Sequence, residues 1–137
     1  MNKKYKRIKT KTIKQVVTFR ASPRDLYEMI MDSKRHAAFS GNVAKIGRKV
    51  GATFTAYGGW INGKTLKLIP DRLIVQAWRG ADWPKSHYSK AMFLFTKTKN
   101  GAKLTFSQTG VPSEQYLHIN KGWRTQYWTK MKKALRK

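Results

Sequence analysis

The sequence contains no cysteine, which removes both a disulfide framework and any thiolate metal site. Acidic residues are nearly as scarce: 6 Asp and Glu stand against 30 Lys and Arg, a formal net charge of +24 in 137 residues. They are also scattered. Asp25, Glu28 and Asp32 share one helical stretch, Asp71 and Asp82 fall in turns and Glu114 precedes the last helix, so no catalytic carboxylate pair is visible. His36, His87 and His118 are equally dispersed and lack metal-ligand spacing. The Gly and Lys of GAKLTF and YGGWINGK lack phosphate-loop spacing and read as turns. No apolar run approaches the roughly 20 residues of a membrane-spanning helix. The N-terminal MNKKYKRIKTKT has no apolar segment behind its charges. These absences leave little material for catalysis. The expectation is a cytoplasmic, non-enzymatic protein with no catalytic residues, metal site or cofactor.

Positive charge is what the chain has in excess. It attracts polyanions through long-range fields and counterion release. Because the basic residues occupy nearly every segment, they read as a general basic surface. Association with nucleic acid or another polyanion is expected to be weak, sequence-independent and steeply salt-dependent. It would run through Lys3, Lys4, Lys6, Arg7, Lys9 and Lys11 and through Lys130, Lys132, Lys133, Arg136 and Lys137. Residues 1–11 read as a flexible basic arm, and 12–137 as one domain.

Residues 110–137, GVPSEQYLHINKGWRTQYWTKMKKALRK, anchor the organisation. Tyr116, Ile119, Trp123, Tyr127, Met131 and Leu135 recur every three or four residues, the stripe of an amphipathic helix. Pro112 and Ser113 supply a start signal. Gly122 interrupts the pattern: either the helix starts near Asn120, or Gly122 admits another element closely. Upstream, TIKQVVTF alternates as a strand with Ile13, Val17 and Phe19 on one face. ASPRDLYEMIMD opens a helix with Ser22 as cap and Pro23 at its first position. A second short helix spans Ser33 to Phe39 and ends at Ser40-Gly41-Asn42. From Val43 to Gln108 short strands alternate with turns at Gly47–Gly51, Gly58-Gly59, Asn62-Gly63, Pro70-Asp71 and Asn100-Gly101. The order is strand, two helices, about six strands and a long helix, which predicts an α+β fold with a curved antiparallel sheet around the terminal helix.

Alternation turns Ile74, Gln76 and Trp78 inward, then His87, Ser89, Ala91, Phe93 and Phe95, then Leu104, Phe106 and Gln108. The polar interruptions have two readings: a cavity wall, or strand-end groups bonded to water and backbone. Of the five Trp, Trp78 and Trp123 read as core. Trp60 and Trp83 are candidates for a pocket rim or partner surface.

The run from FRASPRDLYEMIMDSKRHAAFSG through VGATFTAYGGWINGKTLKLIPDRLIVQAWR and WPKSHYS to GVPSEQYLHINKGWRTQYW resembles the activator-of-heat-shock-protein-ATPase (Aha-type) homologue family of the START-like (SRPBCC) helix-grip superfamily, over about residues 12 to 135. The resemblance implies a helix-grip fold. Two-domain eukaryotic members stimulate the ATPase of the ninety-kilodalton heat-shock chaperone and have a separate N-terminal chaperone-binding domain; single-domain relatives resemble carriers of small hydrophobic ligands. Family architecture and the polar interruptions together lead to an expected apolar pocket lined by Phe39, Phe54, Trp78, Ser89, Phe93, Phe106, Gln108, Trp123 and Tyr127. The alternative implied function is a heat-shock chaperone contact on the exposed face near Trp83 and His87.

Overall fold

Local signals account for the first half of the chain. The computed structural model describes residues 8–136. Strand β1 (Thr10–Phe19) buries Ile13, Gln15 and Phe19 and exposes Lys14, Val16 and Thr18, the period-two pattern of a half-buried strand. Helix α1 (Pro23–Met31) starts where expected, with Ser22 Oγ accepting from the Asp25 amide at 3.1 Å. Asp32 closes α1 and caps α2 (Ser33–Ser40), its carboxylate accepting from the Arg35 amide at 3.0 Å. Gly41, at φ 75°, ends α2 in the left-handed conformation glycine adopts without strain.

Six strands follow: β2 (Lys45–Ile46), β3 (Thr53–Ala56), β4 (Ile61–Ile69), β5 (Leu73–Gly80), β6 (Ser89–Thr98) and β7 (Gly101–Pro112). Every pairing is antiparallel and the spatial order is β1-β7-β6-β5-β4-β3-β2, so the first strand closes against the last. The chain ends in one helix, α3, made of Tyr116–Gly122, a π-helical Trp123–Trp128 and Thr129–Leu135. The curved seven-stranded sheet around this helix is the expected helix-grip arrangement.

Four boundaries differ from the sequence reading. Thr10 and Lys11 already pair with Pro112 and Val111, so the last residues assigned to the arm belong to the sheet; residues 1–7 lie outside the described residues. Asn62-Gly63 is not a turn but part of β4, because Gly63 lets strands approach where a Cβ would stand 1.8 Å from the Ala77 carbonyl oxygen. β7 runs on through Gly110 to Pro112. Ser113 therefore caps no helix: its amide donates to the Lys9 carbonyl at 2.9 Å, and a 3-10 turn over Ser113–Gln115 leads into α3.

Candidate functional site

All five tryptophans join one aromatic cluster, four of them buried in the core and Trp60 half-buried at its edge. Trp78 of β5 lies 6.3 Å from Trp60, 5.4 Å from Trp83 and 5.5 Å from Trp123, and Trp123 stacks on Trp128 at 5.5 Å. These separations are those of favourable aromatic pairs. Phe93 and Phe106 close the cluster from the sheet side, at 5.7 and 4.4 Å from Trp123.

Two amides fasten α3 to the sheet through these rings. Trp123 Nε1 donates to Gln108 Oε1 at 2.7 Å, Gln108 Nε2 donates to Ser89 Oγ at 2.9 Å, and Ser89 Oγ donates to the Trp78 carbonyl at 2.8 Å. In parallel, Trp128 Nε1 donates to Gln15 Oε1 at 2.6 Å, and Gln15 Nε2 donates to the Asn120 carbonyl and side-chain oxygens, both at 2.9 Å. The Trp123 and Trp128 indole N–H groups thus meet acceptors from two different strands, satisfying groups that would be costly unpaired, whereas the buried Trp83 Nε1 has no hydrogen-bond partner. The π-helical segment brings the two rings together, since its wider turn places residues five apart on one face.

A third polar link joins α2 to α3. The Ile30 carbonyl can only accept, so His36 Nδ1, 3.0 Å away, carries the proton; Nε2 then accepts from the Tyr127 hydroxyl at 2.8 Å. Burial pushes the His36 pKa down, opposed by the bond to Ile30, and keeps the ring neutral. Burial likewise pushes the Tyr127 hydroxyl well above its ordinary value and Tyr57 up to about 12.

Beside this frame, between α3 and the β3–β4 region, lies a pocket of ≈ 400 Å³. Its walls are Tyr57, Trp60, Ile61, Trp78, Ile119, Trp123 and Tyr127, with Asn42, His118 and Gln126 as polar lining residues. Tyr57 stands at φ 52°, a left-handed conformation that an aromatic residue rarely adopts, and its hydroxyl donates to the Gln126 carbonyl. Gly80 makes room at the Trp60 side: a Cβ there would stand 2.6 Å from the Trp60 ring. Gly122 borders the pocket from α3, and an added Cβ would meet nothing within 4 Å. Neither expectation for Gly122 holds: the helix starts at Tyr116 and not near Asn120, and Gly122 leaves space open instead of admitting a close neighbour. Among the described residues, no group of three or more His, Asp and Glu gathers as a metal-binding set.

Of the nine residues expected to line a pocket, Trp78, Trp123 and Tyr127 do so. Ser89, Phe93, Phe106 and Gln108 lie in the packed interior on the sheet side of Trp123, where bonds and ring contacts use their inner faces. Phe39 is buried against His36 and Tyr127, and Phe54 against Gly63 and a separate shallow cleft beside β2 and β3. Trp60 is at the pocket, as its turn context suggested. Trp83, expected at a partner surface, is 4% exposed and tucked against Trp78, at the floor of a cleft it shares with Asp82, Pro84 and Ser113. His87 is half-buried, with Nε2 bonded to the Gly110 carbonyl at 2.7 Å. Sequence reasoning missed Gln15, Trp128, Tyr57 and Ile119 as site-building residues; Ile119 carried a signal in its place on the helical stripe and Gln15 in its strand parity with Ile13 and Phe19.

A family model described as "Activator of Hsp90 ATPase homolog 1-like protein" matches residues 20–136. The chain is 31% identical over 126 residues to "Activator of 90 kDa heat shock protein ATPase homolog" of Dictyostelium discoideum, covering 90% of this chain and 32% of that protein. It is 26% identical over 117 residues to "Activator of 90 kDa heat shock protein ATPase homolog 1" of Homo sapiens, covering 85% and 35%. The chain thus spans about a third of the length of these curated relatives. An HSP90 activator from Plasmodium falciparum has a similar crystal structure, with TM-score 0.76 and 26% identity, covering 84% of this chain and 88% of that one.

Proposed function

The chain belongs to the family of activator of Hsp90 ATPase homolog 1-like proteins, and from that premise we propose that it is a non-enzymatic domain that binds a small hydrophobic molecule between α3 and the sheet. The observation that carries this reading is the aromatic-walled pocket of ≈ 400 Å³ with three polar residues in its lining. Ligand sites have this character: mostly apolar walls with a few groups that orient the guest. An elongated apolar or aromatic molecule with one polar end suits it, the apolar part against Trp60, Trp78 and Trp123, the polar end toward Asn42, His118 or Gln126.

The test is native mass spectrometry of the purified protein against a panel of fatty acids and aromatic compounds, with thermal unfolding alongside. A ligand at 100 times its Kd stabilises the fold by about 2.7 kcal/mol. Gly122→Trp inserts a side chain at the pocket wall and is expected to abolish uptake while retaining the fold. Absence of any adduct or stabilisation across the panel refutes the reading.

A second reading, a chaperone cofactor, is favoured by the names of the relatives, which are activators of a heat-shock protein ATPase. It calls for an assay of a ninety-kilodalton heat-shock chaperone with this domain in excess. Equal stimulation by the parent protein and Gly122→Trp supports a surface interaction independent of the pocket; no stimulation and no binding removes it.

A further inference from the structure

The excess of positive charge has a focus. A cleft of ≈ 840 Å³ lies between the end of β1, the β6–β7 turn and the last turns of α3. Four of its nine lining residues, Arg20, Lys99, Lys132 and Arg136, are cationic, against 30 Lys and Arg in the 137 residues of the chain. They come from three separate elements, so no local helical pattern accounts for their meeting. All six acids of the chain lie elsewhere: Asp25 and Glu28 in α1, Asp32 at its end, Asp71 and Asp82 in connections, Glu114 after β7. The two salt bridges among the described residues, Arg35–Asp25 and Arg48–Glu28, both involve α1 and leave these four cations without a carboxylate partner there.

The negative end of the α3 dipole, equivalent to about half a charge, offsets only a small part of four positive charges. The cations surround a concave wall, where low-dielectric sides focus the field. Lys132 Nζ lies over the Phe19 ring at 5.7 Å, which holds one charge inside the cleft. Asn100 adds a neutral amide at the rim.

We propose that this cleft binds the phosphodiester backbone of nucleic acid, with Arg20, Lys99, Lys132 and Arg136 contacting successive phosphates. A convex phosphate ridge can enter a concave site, whereas a flat bilayer reaches only its rim and meets no exposed aromatic anchor there. Phe19 is buried and covered by Lys132, so bases have no stacking platform. Binding is therefore sequence-independent, accepts duplexes and owes its affinity to counterion release. It does not depend on the apolar pocket.

The test compares two fourfold variants of the full chain on a labelled 20-base-pair duplex by fluorescence anisotropy across a salt series. One carries Arg20→Gln, Lys99→Gln, Lys132→Gln and Arg136→Gln. The other removes the same charge from exposed lysines on the outer sheet face, Lys45→Gln, Lys64→Gln, Lys67→Gln and Lys90→Gln. With about 0.9 in log–log slope per phosphate contact, the cleft variant is expected to lose about 3.6 in slope and the outer-face variant less than about 1. Equal losses would mean a diffuse field and overturn the proposal. So would a cleft variant that keeps duplex binding but loses anionic phospholipid vesicles. Amide shifts of the unmodified protein on adding the duplex provide a check that needs no substitution: they should concentrate at Arg20, Thr98–Asn100 and Lys132–Arg136. Shifts spread over the outer face instead would also refute it.

Discussion

Replacing Gln108 with leucine asks whether a buried amide, beyond apolar packing, holds α3 on the sheet. The side chain is fully buried, accepts from Trp123 Nε1 at 2.7 Å and donates to Ser89 Oγ at 2.9 Å. Leucine fills similar volume but does neither. Ser89 keeps its bond to the Trp78 carbonyl, whereas the Trp123 N–H is left without this acceptor in the interior. Stranding that donor costs about 1–3 kcal/mol, and the lost bond to Ser89 adds about 1, for a total of roughly 2–4 kcal/mol. At about 3–4 °C per kcal/mol for a chain of this length, Tm falls by roughly 6–15 °C. In a Trp123→Phe background the stranded donor is gone, so the same replacement should cost only about 1 kcal/mol. The cycle therefore shows a coupling of about 1–3 kcal/mol. Urea unfolding followed by far-UV circular dichroism measures all four proteins. A loss below about 1 kcal/mol, or strictly additive single changes, would refute the claim that the Trp123–Gln108–Ser89 chain is a stabilising unit.

Gly80→Ala places a methyl 2.6 Å from the Trp60 ring and 2.9 Å from Trp83 Nε1; a loss of about 1–3 kcal/mol is expected, and a neutral result in chemical denaturation would show that this wall is slack. Gly122→Ala meets nothing within 4 Å and should stabilise the helix by up to about 1 kcal/mol, readable as a raised denaturation midpoint. His36 has a folded pKa below its ordinary 6.5 through burial, so the unfolded chain takes up the proton first. Its contribution is complete above pH 6.5 and is lost as pH falls from there through the folded pKa, with a slope of up to about 1.4 kcal/mol per pH unit. His36→Gln should show a shallower decline between pH 6.5 and 5, and equal slopes would count against the assignment. Tyr57 runs the other way: pushed from 10.0 to about 12 by burial, it stays protonated while the unfolded chain ionises. Its contribution is intact below pH 10 and falls toward pH 12, a component that Tyr57→Phe should remove from alkaline unfolding curves.

The parts of this molecule legible in the sequence are those set by neighbours along the chain. Ser22-Pro23 marked the start of α1 because a capping hydroxyl and a proline act within one turn. Alternation put Ile74 and Trp78, Phe93 and Phe95, and Leu104 and Phe106 inside because the period of a strand is two regardless of what faces it. The order of strand, two helices, six strands and helix followed from the same local periods. Alternation says which way a side chain points, not whether the opposing element fills the space in front of it. Phe93, Phe106 and Gln108 point inward as read, yet the Trp123 and Trp128 rings occupy that volume, and the pocket opens to one side, where Gly122 and Tyr57 leave room. Trp128 lay off the 3.6-residue stripe and entered the core only because the π-helical turn rotates it beside Trp123. Alternation placed Gln15 on the inner face with Ile13 and Phe19 but gave no sign of its partner, since Trp128 is 113 residues away and the two meet only when β1 closes the sheet against β7. Trp83 sat in a polar loop, and the folded sheet supplied the Trp78 face that buries it. Nearest-neighbour sterics and hydrogen bonding are written into consecutive residues, whereas the pocket, the indole–amide pairs and the basic cleft arise from contacts between distant segments, and those depend on tertiary packing.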